Sequence, residues 1–291
     1  MILINTIQIM DILPAGLIML ALGLTFAIVL LIANEKFKVA VDEKIEQIHQ
    51  ALPKIDCGAC GFAGCGSYAK AVAANAELIG KCAPGGPATS EKIGAILNLH
   101  ISDAGPAKRP IVHCGAHTDN KTYRAIYEGI KTCLAANALA NVQACKYGCL
   151  SFGDCTAACK FDALHIVDGL ATVNYEKCTG CGACAKACPR NLIDMVPFNH
   201  EIMITVACRS SEAGKDTRAM CTVGCIACGL CAKQSDIFTV TDNFAKIDYT
   251  RYEPTTAVET AINKCPTCTI VYRGKNAPAP RQPKEKTASS A

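Results

Sequence analysis

The stretch Cys178-Thr-Gly-Cys181-Gly-Ala-Cys184-Ala-Lys-Ala-Cys188-Pro189 decides how this chain is read. Three cysteines at x2 steps, a fourth after x3 and then proline form the C-x2-C-x2-C-x3-C-P arrangement. In it three thiolates hold one four-iron cluster and the fourth reaches to a second. Zinc sites seldom use three cysteines at such close steps. A fourth ligand directed elsewhere requires a partner run, and one lies upstream as Cys145, Cys149, Cys155 and Cys159 in CKYGCLSFGDCTAACKF. Its steps are x3 and x5 in place of x2 and x2, with x3 again at the end. Exchange of the fourth ligands predicts one cluster on Cys145, Cys149, Cys155 and Cys188 and another on Cys178, Cys181, Cys184 and Cys159. Between the runs, ALHIVDGLATVNYEKC alternates apolar and polar residues around Asp168-Gly169, which predicts a β-hairpin.

The same unit recurs downstream. A shift of 76 residues lays Cys145, Cys149, Cys155 and Cys159 on Cys221, Cys225, Cys231 and Ser235. A shift of 74 lays the hairpin over IFTVTDNFAKIDYTRY, with Asp168 on Asp242, Tyr175 on Tyr249 and Cys178 on Tyr252. This is a second ferredoxin-like module that has decayed. Its first run keeps Cys225, Cys228 and Cys231, and its second keeps only Cys265, still followed by Pro266. Under the exchange rule Cys225, Cys228, Cys231 and Cys265 complete one cluster, while Ser235 and the missing thiols all belong to the other. A competing assignment uses Cys221 in place of Cys265.

A further group precedes both modules: Cys57, Cys60 and Cys65 in CGACGFAGC, then Cys82 in KCAPGGP. Glycines let the backbone bend around a ligand cage, and Tyr68 to Leu78 reads as a short helix carrying the chain to Cys82. Taken alone, four thiolates there suit zinc as well as iron; the company of the other groups points to iron. The total is 21 cysteines in 291 residues, an odd number in a long chain, which argues against a disulfide scaffold. With no Trp and 5% aromatics, conventional core material is modest, and metal binding is a natural supplement because ligation of the folded state is folding free energy. Cys114, Cys133, Cys208 and Cys268 are left over and read as small buried hydrophobes. The formal charge of +4 counts every thiol as neutral; at about −2 for each thiolate-bound cluster, four would take the chain to roughly −4. No nucleic-acid partner is therefore inferred, and no aromatic-interleaved basic stripe is present.

The chain opens on an apolar run. Ile12 to Ala33 carries no charge and as a helix would span about 33 Å, enough to cross a bilayer core. A cleaved signal peptide is the alternative, but the basic start and a small-x-small cleavage site are missing. Asp11 is the charge before the run, and Lys36, Lys38 and Lys44 follow it, which places the cysteine-rich body on the cytoplasmic face of the cell (inner) membrane. Thiols and clusters would survive in that reducing compartment.

Read in order, the membrane helix, CGACGFAGC with Cys82, CKYGCLSFGDC and CTGCGACAKACP resemble the B subunit of the Rnf-type electron-transport complex, over nearly all of Ile12 to Val271. The resemblance implies a redox subunit of an ion-translocating oxidoreductase, coupling electron flow between reduced ferredoxin and NAD to sodium or proton movement. Flavin and NAD would sit on partner subunits. The sequence agrees, having no GxGxxG after a strand, no P-loop and no catalytic triad or carboxylate pair. His49, His100, His113, His117, His165 and His200 are scattered and read as surface or satisfied core residues. A reductase arm of the same architecture, keeping an iron-sulfur transcription factor reduced, is the alternative function. The expected fold is α+β: a transmembrane anchor (1–36), a small four-cysteine iron-sulfur domain (37–98), a connecting segment (99–140), a two-cluster ferredoxin-like module (141–200), a degenerate one-cluster module (201–273) and a disordered tail (274–291). About four [4Fe-4S] clusters are expected, within a range of three to five.

Overall fold

The computed structural model describes residues 2–36, 42–99, 106–139 and 142–283. The chain divides into two units, one ending at Glu46 and one starting at Gln47. The first is dominated by α1 (Ile2–Lys36), whose segment Gly16–Lys36 has a mean hydropathy of 2.7 and is long and apolar enough to cross a membrane. A soluble core helix hides its apolar face. Here Leu17, Met19, Leu24, Phe26 and Leu31, which point in different directions around the helix, are all more than half exposed.

In the second unit, α2 (Glu43–Ala51, beginning in the first) buries Ile48, α3 (Cys65–Ala74) buries Tyr68, Ala69 and Val72, and α4 (Gly86–Ile96) buries Ile93. The expected helix from Tyr68 to Leu78 starts earlier and breaks sooner. Asp56 Oδ1 accepts the Cys65 N–H at 2.6 Å and fixes the start. Asn75 turns extended, and its side chain accepts the Glu77 N–H at 2.9 Å, converting the end into a 3-10 turn over Ala76–Leu78.

The two modules then follow with one plan. In the first, β1 (Lys108–Val112), α5 (Cys133–Asn137), α6 (Asp154–Ala157), β2 (Leu164–Val167), β3 (Leu170–Val173), α7 (Ala183–Ala187) and β4 (Ile193–Pro197) succeed one another. β2 and β3 form the expected hairpin, with Val167 opposite Leu170. Asp168 and Gly169 have φ of 46° and 69°, the left-handed pair that a two-residue loop requires. β1 pairs antiparallel with β4, from Lys108 opposite Pro197 to Val112 opposite Ile193. Residues 108–139, expected within a connecting segment, are thus an integral part of this module. The second module repeats the pattern: β5 (Ile202–Val206) pairs with β8 (Ile270–Gly274), and β6 (Phe238–Thr241) with β7 (Phe244–Ile247) around Asp242 and Asn243. Helices α8 (Gly214–Met220) and α9 (Thr256–Lys264) complete it.

Each module has its own core. Val112, Leu164, Leu170, Leu192 and Ile193 gather in the first, and Met203, Ile204, Phe238, Tyr252, Val258 and Ile262 in the second. In the tail Arg281 Nη1 donates to the carbonyls of Ile262 and Asn263 at 2.8 and 3.0 Å, a cation over the C-terminal end of α9. Residues 284–291 lie outside the described residues.

Candidate functional site

All 21 cysteines are free thiols, and sets of four line common cavities. Cys159, Cys178, Cys181 and Cys184 line one cavity, brought together by the end of α6 and the start of α7. Gly180 makes the tight loop possible: its φ is 77°, and a Cβ there would collide with the Lys108 carbonyl oxygen. Backbone amides turn toward the ring, with the Ala163 N–H donating to Cys159 Sγ at 3.4 Å. Cys225, Cys228, Cys231 and Cys265 line a second cavity, and Cys221 is not among its walls. The thiols of Cys57, Cys60, Cys65 and Cys82 converge beside α3, where burial first and the other three sulfurs next push the Cys82 thiol up. Tyr68, buried next to them, has its phenol pushed up to about 12, first by burial and then by the Cys82 and Cys60 sulfurs; its hydroxyl donates to the Leu78 carbonyl at 2.9 Å.

The fourth ring differs from the sequence expectation. Cys149, Cys155 and Cys188 line a cavity whose fourth thiol is Cys133, at the first position of α5; Cys145 lines a different cavity. Asp154 explains the arrival of Cys133, because its carboxylate accepts the N–H groups of Cys133 and Leu134 at 2.7 and 2.9 Å. The x3 step explains the departure of Cys145: the turn over residues 145–149 is held by Arg190 Nη1 donating to the Cys145 carbonyl at 3.2 Å, and by Gln143 Nε2 donating to the same oxygen at 2.8 Å. The equivalent x3 step in the second module likewise leaves Cys221 off the Cys225 cavity. Residues 108–139 contain no close cysteine pair, so spacing carries no signal for Cys133.

These rings suit a polynuclear group. Among the described residues no three Cys, His, Asp or Glu side chains gather closely enough to hold one ion. A zinc site needs four sulfurs about 2.3 Å from a common point, whereas a four-iron cube holds its thiolates around a larger body. Burial pushes the Cys155 and Cys184 thiols up to about 12, neighbouring sulfurs adding to it, so loading either cage has to displace protons. Where the second module has lost its other ring, apolar packing fills the space: Tyr252 stands at the place of Cys178 and is 3% exposed, against Val258 and Ile262 of α9.

Two family models match within the chain, FeS, an Fe-S cluster domain, over residues 52–84, and the 4Fe-4S binding domain over residues 171–194. Whole-chain relatives go further. The B subunit of the Na(+)-translocating ferredoxin:NAD(+) oxidoreductase complex of Acetobacterium woodii is 36% identical over 263 residues, 87% of this chain and 75% of that protein. The B subunit of the ion-translocating oxidoreductase complex of Methanosarcina acetivorans is 34% identical over 260 residues, covering 88% of this chain and 96% of the relative. The chain belongs to the family of B subunits of ion-translocating oxidoreductase complexes. A proton-translocating member from Clostridium ljungdahlii is 34% identical over 87% of this chain and 89% of its own length. The protein is thus an iron-sulfur subunit with an N-terminal helix fit to span a membrane and two ferredoxin-like modules. The two family-model matches fall on the Cys57 group and on the Cys178 run, while the Cys133 and Cys225 rings are visible only in the tertiary structure and the repeat.

Proposed function

We propose that this protein carries single electrons between reduced ferredoxin and the flavin- and NAD-binding subunits of an ion-translocating membrane complex. Four [4Fe-4S] clusters would be held by Cys57, Cys60, Cys65 and Cys82; by Cys133, Cys149, Cys155 and Cys188; by Cys159, Cys178, Cys181 and Cys184; and by Cys225, Cys228, Cys231 and Cys265. The observation that carries this reading is the gathering of buried and half-buried thiols, four to a cavity, within one folded unit. The clusters supply one-electron redox chemistry. The chain supplies the rest: burial excludes water, N–H groups aimed at sulfur favour the more negative state, and the module repeat holds successive rings next to one another. The lysines after α1 support a cytoplasmic position for the rings. The ion moved is left open by relatives named for sodium and for protons.

The test uses the full chain purified anaerobically in detergent. Iron and acid-labile sulfide should be present in equal amounts, and reduced ferredoxin should bleach the visible absorbance while low-temperature paramagnetic signals appear. Zinc in place of iron, or clusters that dithionite reduces but ferredoxin does not, would overturn the reading.

A further inference from the structure

We propose that Cys114, Cys145, Cys208 and Cys221 form a fifth iron-sulfur site at the seam between the two modules, linking the Cys149 ring to the Cys225 ring. This rests on the electron-relay reading above and extends it by one centre. The four thiols line a single cavity of about 30 Å³, against about 20 Å³ at each of the three rings of the modules. There is room for the same group.

The ligands come in equivalent pairs. Cys114 lies two residues beyond the end of β1 and Cys208 two residues beyond the end of β5, the corresponding strand of the second module. Cys145 and Cys221 are matched by the 76-residue repeat. Each module thus contributes the same two positions to one cavity. The segments after β1 and β5 are in close approach: a Cβ on Gly115 would stand 3.0 Å from the Cβ of Ala207. A bridge between Lys121 and Cys221, and a 2.9 Å bond from Asn120 Nδ2 to Thr222 Oγ1, close the other side. With these four placed, Cys268 is the one cysteine outside a set of four.

Cys114 and Cys208 are buried, yet backbone donors turn toward their sulfurs. The Ser210 N–H donates to Cys208 Sγ at 3.5 Å, and the Cys225 amide faces the same sulfur. Cys114 is faced by the amides of Cys149 and Ala116, and Cys221 by those of Val223 and Gly224. A cysteine packed as a small hydrophobe has no use for such donors; cluster sulfurs are tuned by them. Since Cys149 and Cys225 are themselves members of the neighbouring rings, these amides also fix the place of the fifth site between the two. One half-buried cation, Lys121, lines it, and a second, Arg190, lines the neighbouring Cys149 cavity. Lys121 Nζ donates to Cys149 O, Ser151 Oγ and Gly169 O, and Arg190 to Asn137 Oδ1, Cys145 O and Gly148 O; among the described residues neither has a carboxylate. Partly buried cations surrounded by neutral acceptors call for a counter-charge, which an anionic cage supplies.

The experiment counts iron and acid-labile sulfide in the full chain, anaerobically purified, for the native protein and for Cys133→Ala, Cys145→Ala, Cys208→Ala and the Cys133→Ala/Cys145→Ala pair. Five sites give about twenty irons in the native chain. Each single variant should lose about four, and the pair about eight, because the two cysteines serve different centres. A native count near sixteen with Cys208→Ala unchanged would overturn the fifth site, as would loss of only four in the pair. The native count decides even if a variant fails to fold. Absence of sulfide from the native chain would instead sink the electron-relay reading as a whole.

Discussion

Removing the Asp154 carboxylate should loosen one ring and leave the others alone. Asp154 holds Cys133 on the Cys149 cavity through two N–H groups, at 2.7 and 2.9 Å, the second of them solvent-exposed. A hydrogen bond to a charged acceptor contributes about 1.5–3 kcal/mol, and exposure puts this pair at the low end, about 3 kcal/mol together. At about 1.4 kcal/mol per factor of ten, Asp154→Ala should release the irons of that ring roughly a hundredfold faster to a ferrous chelator. Asp154→Asn, which keeps one acceptor oxygen, should lie about tenfold above native. Anaerobic release followed by absorbance should therefore split into a fast phase of about four irons and an unchanged remainder. A single native-like phase in Asp154→Ala would refute the placement of Cys133 as a ligand. Acceleration of every phase together would show general unfolding rather than release of one loop.

Four other perturbations have definite outcomes. A chain starting at Glu35 should be recovered without detergent and retain its iron, because the rings lie in the unit that begins at Gln47; iron loss on truncation would contradict that independence. Gly180→Ala puts a side chain at φ 77° against the Lys108 carbonyl and should cost about 2 kcal/mol or more, read as a lower midpoint for thermal bleaching. Gly61→Ala, at φ 90° with open space around it, should cost only about 1 kcal/mol. Asp194 lies 3.2 Å from His113 Nε2 and is paired with Arg209 across the seam, which holds its carboxyl below the usual carboxylate range. Its contribution is present above the unfolded pKa of about 3.9 and lost as pH falls through the lower folded value. The side chain is 42% exposed, so Asp194→Asn should cost no more than about 1 kcal/mol at pH 7, a gap that closes below about pH 4. A gap that persists there would assign the effect to packing.

Local patterns written within a few residues were legible without coordinates. The C-x2-C-x2-C-x3-C run bends its own loop around a cage, the Asp168-Gly169 pair makes its own turn, and the apolar stretch to Ala33 is long enough to span a bilayer whatever follows it. The 76-residue repeat extended that reach, since a duplicated unit implies a duplicated fold, and it pointed to Cys265 across a long separation. Cysteines with no local partner were not legible. Cys133 reaches its ring because a carboxylate 21 residues away holds the start of α5. Cys145 lines a different cavity, its carbonyl held by Arg190 and Gln143. Cys114 and Cys208 meet because β1 and β5 end side by side, a pairing between segments 94 residues apart. Loop spacing sets only the sulfurs that one loop can present; which sulfurs from separate loops share a cavity depends on how the two modules pack, and that is a property of the tertiary structure.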